Sequence, residues 1–208
     1  MSRDPFEQIA ATWEEDSAPG RHKYERAVGL LDVRSGHRVL DVGCGTGQAL
    51  PSLVAAAGDH GEVIGLEPSP AMRAEAVRLG RHVTATIIEG RAESVPLPDS
   101  WADRVLAAAL LPHLADVPSA LSEFARLLRP GGKLLVFHPI SREQLAIRHE
   151  GMGTDDLVVA PARLVPLLDE AGFDIDLIDD AEDRFATLAT RRTWMRTGGS
   201  PVERGKLH

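Results

Sequence analysis

The stretch that most constrains this chain is Val39-Leu-Asp-Val-Gly-Cys-Gly-Thr-Gly47. A short apolar run, Arg38 to Val42, is interrupted by Asp41 and stops at Gly43, Gly45 and Gly47; a helix-compatible run begins at Gln48. The physical reading is a buried parallel strand that ends in a tight turn and feeds a helix. Glycines admit positive φ and let a ligand reach the backbone without meeting a Cβ. Amides at a helix start favour a polar or anionic ligand group. Many α/β folds use such a turn. Asp41 inside the strand, and Glu67 at the end of the next apolar run, narrow the field.

Around this turn the chain alternates. Residues 21–34 carry Tyr24, Ala27, Val28 and Leu31 on one helical face. Strand one, about 37–42, is followed by a helix of about 47–57 and a stop at Gly58-Asp-His-Gly61. Strand two is Val63–Leu66, and a helix of about 70–80 follows with Ser69 as N-cap and Pro70 in its first turn. Strand three is Val83–Ile88, residues 89–100 form a proline-punctuated loop, and strand four is Asp103–Ala109. An amphipathic helix, Val117–Leu128, ends at Arg129-Pro-Gly-Gly132 and leads into strand five, Lys133–His138. This order means a parallel sheet with helices on both faces and a ligand at the carboxyl ends of the strands. After a helix at about 161–171, two alternating runs, 172–178 and 185–191, are too close for a crossover helix and should pair as an antiparallel hairpin.

Composition excludes several classes. A formal net charge of −8 argues against an extended nucleic-acid footprint and against anchoring on anionic membrane. The longest apolar run, Val105–Leu111, is far too short to cross a bilayer. The first residues lack the apolar core of a signal peptide, and a lone cysteine, Cys44, fits a reducing compartment, so a cytoplasmic location is expected. The expected organisation is one domain over 1–195, with a helical cover at 1–34, a core at 35–195 and a flexible tail at 196–208.

Four stretches together resemble the class I S-adenosylmethionine-dependent methyltransferases, in particular the small-molecule branch with little beyond the core. They are Val39–Gly47, Gly65-Leu-Glu-Pro-Ser-Pro-Ala-Met72, Leu110-Leu-Pro-His-Leu114 and Leu127-Leu-Arg-Pro-Gly-Gly-Lys133. The resemblance implies a doubly wound α/β fold with a seven-stranded, mostly parallel sheet of order 3-2-1-4-5-7-6, strand seven being antiparallel. It implies S-adenosyl-L-methionine as cofactor and a small-molecule methyl acceptor as partner. Gly43, Cys44, Gly45 and Gly47 would then pass beneath the methionine tail. Asp41 would lie near its amino group, or else brace the loop. Glu67 would take both ribose hydroxyls, since a carboxylate's two acceptor oxygens match the two donors of a cis-diol. Met72 would pack on the adenine, or else fill the core; Pro68 and, at the end of strand four, Ala109 complete the cofactor-binding set. Relatives often carry aspartate where this chain has Arg91, so the adenine amino group is expected at Glu93 or at backbone near Ala92.

Methyl transfer needs a base only when the acceptor must lose a proton, and much of the rate comes from in-line positioning. Two histidines stand where a base could work: His113 after strand four and His138 at the end of strand five; each has a structural hydrogen-bonding role as its alternative. Arg142, Arg148 and His149 lie between strand five and the next helix, where relatives in that family often build acceptor contacts; a solvated charged loop is the alternative. No metal ligand set is recognisable. Phe6, Ile9 and Trp13 share a helical face and either cover the sheet edge or fold over the ligand. A nicotinamide-dependent reductase fits less well, because its fingerprint places glycine three after the second one. A cofactor-binding module without catalysis is the other alternative.

Overall fold

The structure, a computed structural model, describes residues 9–12, 21–149 and 151–193. Its centre is one sheet of seven strands. These are β1 (Arg38–Val42), β2 (Glu62–Leu66), β3 (Thr86–Ile88), β4 (Ala102–Ala108), β5 (Leu128–His138), β6 (Phe173–Ala181) and β7 (Arg184–Arg191). Their spatial order is β3-β2-β1-β4-β5-β7-β6, with β7 antiparallel to both its neighbours, as the resemblance implied. The helices are α1 (Arg21–Leu30), α2 (Leu50–Ala57), α3 (Pro70–Arg78), α4 (Val117–Leu127), α5 (Arg142–Arg148) and α6 (Pro161–Glu170).

The parallel strands are buried on both faces, so they read as nearly continuous apolar runs. Alternation sends Val39, Val63, Leu106, Leu135 and Phe137 toward α1 and α2, and Leu40, Val42, Val105, Leu134 and Val136 toward the face of α4, α5 and α6. The face expected for α1 is the one buried: Ala27 and Leu31 are fully covered, and Tyr24 packs edge-on against Phe137 at 6.2 Å. On α4, Val117, Ala120, Leu121, Phe124 and Leu127 form the buried stripe, and Asp116 caps the start by accepting from the Ser119 N–H at 3.0 Å. Each such fully buried Leu or Phe contributes about 1.5–3 kcal/mol.

Several boundaries differ from the sequence reading. The helix α2 starts at Leu50, three residues after Gly47, whose φ of +82° cannot belong to a right-handed helix. Strand β3 shrinks to Thr86–Ile88 because Gly80 turns left-handed and Arg81–Val83 forms a 3₁₀ turn, leaving Val83 exposed. Strand β5 begins at Leu128, so Pro130 and the glycine pair lie inside it, beside a register shift opposite Ala102 and Arg104. The hairpin turn is only Glu182-Asp183, as both strands continue through acidic residues held by an Arg184–Asp179 ion pair at 2.8 Å. Residues 1–8 and 13–20 of the expected N-terminal cover, Phe6 and Trp13 among them, and the whole tail 196–208 lie outside the described residues; Ile9 is exposed. No helix among the described residues is long and apolar enough to cross a membrane.

Candidate functional site

The site grows from the carboxyl ends of β1 and β2, which are paired so that Asp41 stands beside Gly65 and Val42 beside Leu66. Gly43 and Gly45 have φ of +68° and +56°. Their reasons differ. A Cβ on Gly43 would meet Leu110 Cδ1 at 2.7 Å, so this glycine lets the segment after β4 press on the turn. A Cβ on Gly45 would meet nothing within 4 Å. The backbone there faces open space, which is the property of a ligand cradle.

Glu67 closes this cradle from β2. Its side chain is buried, and its two oxygens accept from different amides: Oε2 from the Gly45 N–H at 3.0 Å and Oε1 from the Ser69 N–H at 2.8 Å. Arg73, one turn into α3, secures this corner from below. Its Nη1 donates to the carbonyls of Glu67 and Pro68, both at 2.8 Å, and its Nη2 pairs with Glu89 at 2.6 Å. Ser69 caps α3 as expected, accepting from the Met72 N–H. Met72 itself is buried, while Pro68 is exposed.

Asp41 is 2% exposed, and its carboxyl is pushed up to about 8, first by burial and then by the charge of Glu67. Two acids placed together out of water disfavour the ionised form unless a cation joins them. Cys44 directs its sulfur away from the open side, onto β2: a Cβ on Gly65 would lie 2.8 Å from it. Burial, followed by Asp41 and Glu67, raises the thiol well above its ordinary range, so it carries no nucleophilic character.

The loop after β3 brings Ala92 into the core and leaves Glu93 half-buried, facing the exposed Arg91 at 3.6 Å. Ala109 leaves β4 with φ of +51°, a strained value for alanine, held by its N–H donating to the Phe137 carbonyl at 2.7 Å. The next turn, Leu111–His113, carries His113 to the end of β5. His138 is buried there, and its Nε2 meets no hydrogen-bond partner among the described residues. Burial, then His113 and His149, lower His138 to about 3. The rings of His113 and His149 lie 5.7 Å apart. His113 keeps an exposed edge, yet the protein around its ring and then His149 hold it below its ordinary value. Among the described residues, no group of three or more such side chains is arranged to hold a metal.

The family model for a methyltransferase domain matches residues 40–136, from β1 to β5. The fold agrees: an S-adenosylmethionine-dependent methyltransferase of Aquifex aeolicus superposes with a TM-score of 0.74 at 21% identity, covering 88% of this chain and 97% of that one. Over residues 40–136 the chain resembles the methyltransferase domain, and it shares the fold of S-adenosylmethionine-dependent methyltransferases. Among relatives by sequence, a demethylmenaquinone methyltransferase of Shouchella clausii is 35% identical over 108 residues, 50% of this chain and 46% of the relative. A ubiquinone/menaquinone biosynthesis C-methyltransferase of Bordetella avium is 33% identical over 142 residues, 63% of this chain and 54% of the relative. The chain thus spans about half the length of the curated relatives it matches.

The residues of the site fit the cofactor of such proteins: an open glycine cradle, a buried carboxylate, and a second buried acid suited to a cationic group. One contributor escaped the sequence reading, and another was assigned to a loop. Arg73 looked like an ordinary helix residue, although its place in the first turn after Ser69 aims it back at the strand end. His149 looked like part of a loop. In fact Ser141 accepts from the Gln144 N–H at 3.2 Å, starting α5, whose C-cap is His149. The spacing Ser-x-x-Gln is a capping-box signal that foretells this helix.

Proposed function

We propose that the protein transfers the methyl group of S-adenosylmethionine to a small aromatic acceptor of the quinol type. The cofactor supplies an electrophilic methyl on a sulfonium, and the chain supplies placement. In this reading Glu67 accepts from the ribose hydroxyls, Asp41 pairs with the methionine ammonium, and Gly43 to Gly47 pass beneath the tail. Met72, Ala92 and Glu93 border the adenine, and Ala109 separates the cofactor from the acceptor end. The observation that carries the reading is the buried Glu67 carboxylate, already holding the Gly45 amide at the one turn glycine whose Cβ position is open. The quinol type rests on the names of the sequence relatives.

The test is formation of S-adenosylhomocysteine from S-adenosylmethionine and 1,4-naphthohydroquinone under anaerobic conditions. Turnover is expected with the hydroquinone and not with 1,4-dimethoxynaphthalene. Binding of S-adenosylhomocysteine without turnover of any hydroxylated aromatic would leave the cofactor site standing and refute the acceptor class.

A further inference from the structure

Three histidines from three elements meet where β4 and β5 end. His113 comes from the turn after β4, His138 is the last residue of β5, and His149 caps α5. The two strand ends are tied by the bond from Ala109 N–H to the Phe137 carbonyl, one residue before His138. The same turn touches the cofactor cradle, since Leu110 packs against Gly43 and its carbonyl accepts from the His113 N–H at 2.9 Å. The cluster therefore borders the cradle across one residue.

His138 is the informative member. A buried polar atom is nearly always satisfied, and one left without a partner is costly. Its Nε2 has none among the described residues, and neither has Thr187 Oγ1. Val136 pairs with Thr187 and His138 with Phe185, so alternation puts Thr187 and His138 on one face of the sheet. Two orphan polar atoms on one face, beside a cofactor cradle, call for a ligand with a polar group.

We propose that His113, His138 and His149 form the acceptor end of the site, with His138 Nε2 taking the hydrogen bond, and during transfer the proton, of a hydroxyl on the acceptor. This rests on the methyltransferase reading above. The acceptor's nucleophilic atom, the hydroxyl oxygen or the ring carbon it activates, bonds the methyl carbon as the methyl–sulfur electron pair stays on sulfur. The O–H electron pair stays on oxygen, and the proton moves to Nε2. That hydroxyl becomes strongly acidic as the new bond forms, so a weakly basic imidazole suffices. Burial keeps His138 unprotonated at neutral pH and favours passing the proton on to His113, which reaches solvent.

The groups acting on His138 are these two imidazoles. Other nearby charges are engaged elsewhere. Lys23, on α1, donates to the Pro139 and Asp183 carbonyls. Arg142, on α5, pairs with Asp180 at 2.8 Å and Asp155 at 3.5 Å. Glu143 and Arg148 on α5 are exposed.

The experiment uses the full chain saturated with S-adenosylhomocysteine and compares calorimetric binding of 1-naphthol with 1-methoxynaphthalene, which lacks the same oxygen's proton. Wild type should prefer naphthol by about tenfold, the size of one buried hydrogen bond. His138→Phe should bring the ratio to about one while S-adenosylhomocysteine affinity stays unchanged. His149→Phe keeps an aromatic ring against His113 but removes a charge that lowers His138. The acid-side pH at which the naphthol preference disappears should therefore move upward, an effect that a purely packing role would not produce. A wild-type ratio of one, or a midpoint unmoved in His149→Phe, overturns the inference. Failure of wild type to bind S-adenosylhomocysteine would instead remove the methyltransferase reading beneath it.

Discussion

Asp41→Asn isolates the electrostatics of the site. The Asp41 carboxyl is raised from 3.8 to about 8 by burial and then by Glu67. Because the folded value lies above the unfolded one, its contribution to stability is intact below pH 3.8. It declines as pH rises and is fully lost above about 8. Each tenfold change in proton affinity is worth about 1.4 kcal/mol, so the ligand-free fold is weakened in alkaline solution by on the order of 2–5 kcal/mol. Asparagine removes this dependence. The melting temperature of Asp41→Asn relative to wild type should rise by roughly 3–14 °C between pH 5 and 8.5 for a chain of this size. Any fixed cost of burying the amide is the same at both ends of the range and cancels. In the cofactor arm the sign reverses. An ammonium beside Asp41 favours the carboxylate, so S-adenosylhomocysteine binding to wild type releases a proton and tightens by up to roughly tenfold per pH unit below about 8. Asp41→Asn should bind more weakly and without that slope. Thermal melts and calorimetry across the pH range read both arms. Parallel melting curves for the two proteins, with affinity independent of pH in wild type, would refute the reasoning.

Glu67→Ala should weaken S-adenosylhomocysteine binding by about ten- to a hundredfold. Because Glu67 also holds the Gly45 and Ser69 amides, the same change should lower stability by about 1–3 kcal/mol, measured by denaturant titration. Gly43→Ala and Gly45→Ala should differ. The first drives a methyl into Leu110 and chiefly destabilises; the second strains the backbone by about 1–2 kcal/mol and chiefly impairs ligand binding. The ratio of the two losses in melts and calorimetry should invert between them. Incubation with EDTA should leave both S-adenosylhomocysteine binding and methyl transfer unchanged; recovery by added magnesium after a loss would show a metal role.

Much of the architecture was legible from local signals. Apolar runs between glycine and proline stops announced β1, β2, β4 and β5, and the short link between the last two alternating runs announced their antiparallel pairing. Asp41 and Glu67 stood out because an acid inside or closing a buried strand is costly without a partner. The ends of elements were less legible, since they depend on backbone angles such as those of Gly47 and Gly80 and not on side-chain pattern. Tertiary structure alone decided which groups meet. His113, His138 and His149 are separated by up to 36 residues in sequence, and only the adjacency of β4 and β5, with α5 folding back, places them together. Likewise Glu67 reaches the Gly45 amide only because β1 and β2 pair in their observed register. Hydrophobic pattern is carried by each segment separately and can be read one residue after another. Electrostatic coupling and polar satisfaction exist only between segments, so the elevated Asp41, the buried Cys44 thiol and the orphan nitrogen of His138 appear only once the chain is folded.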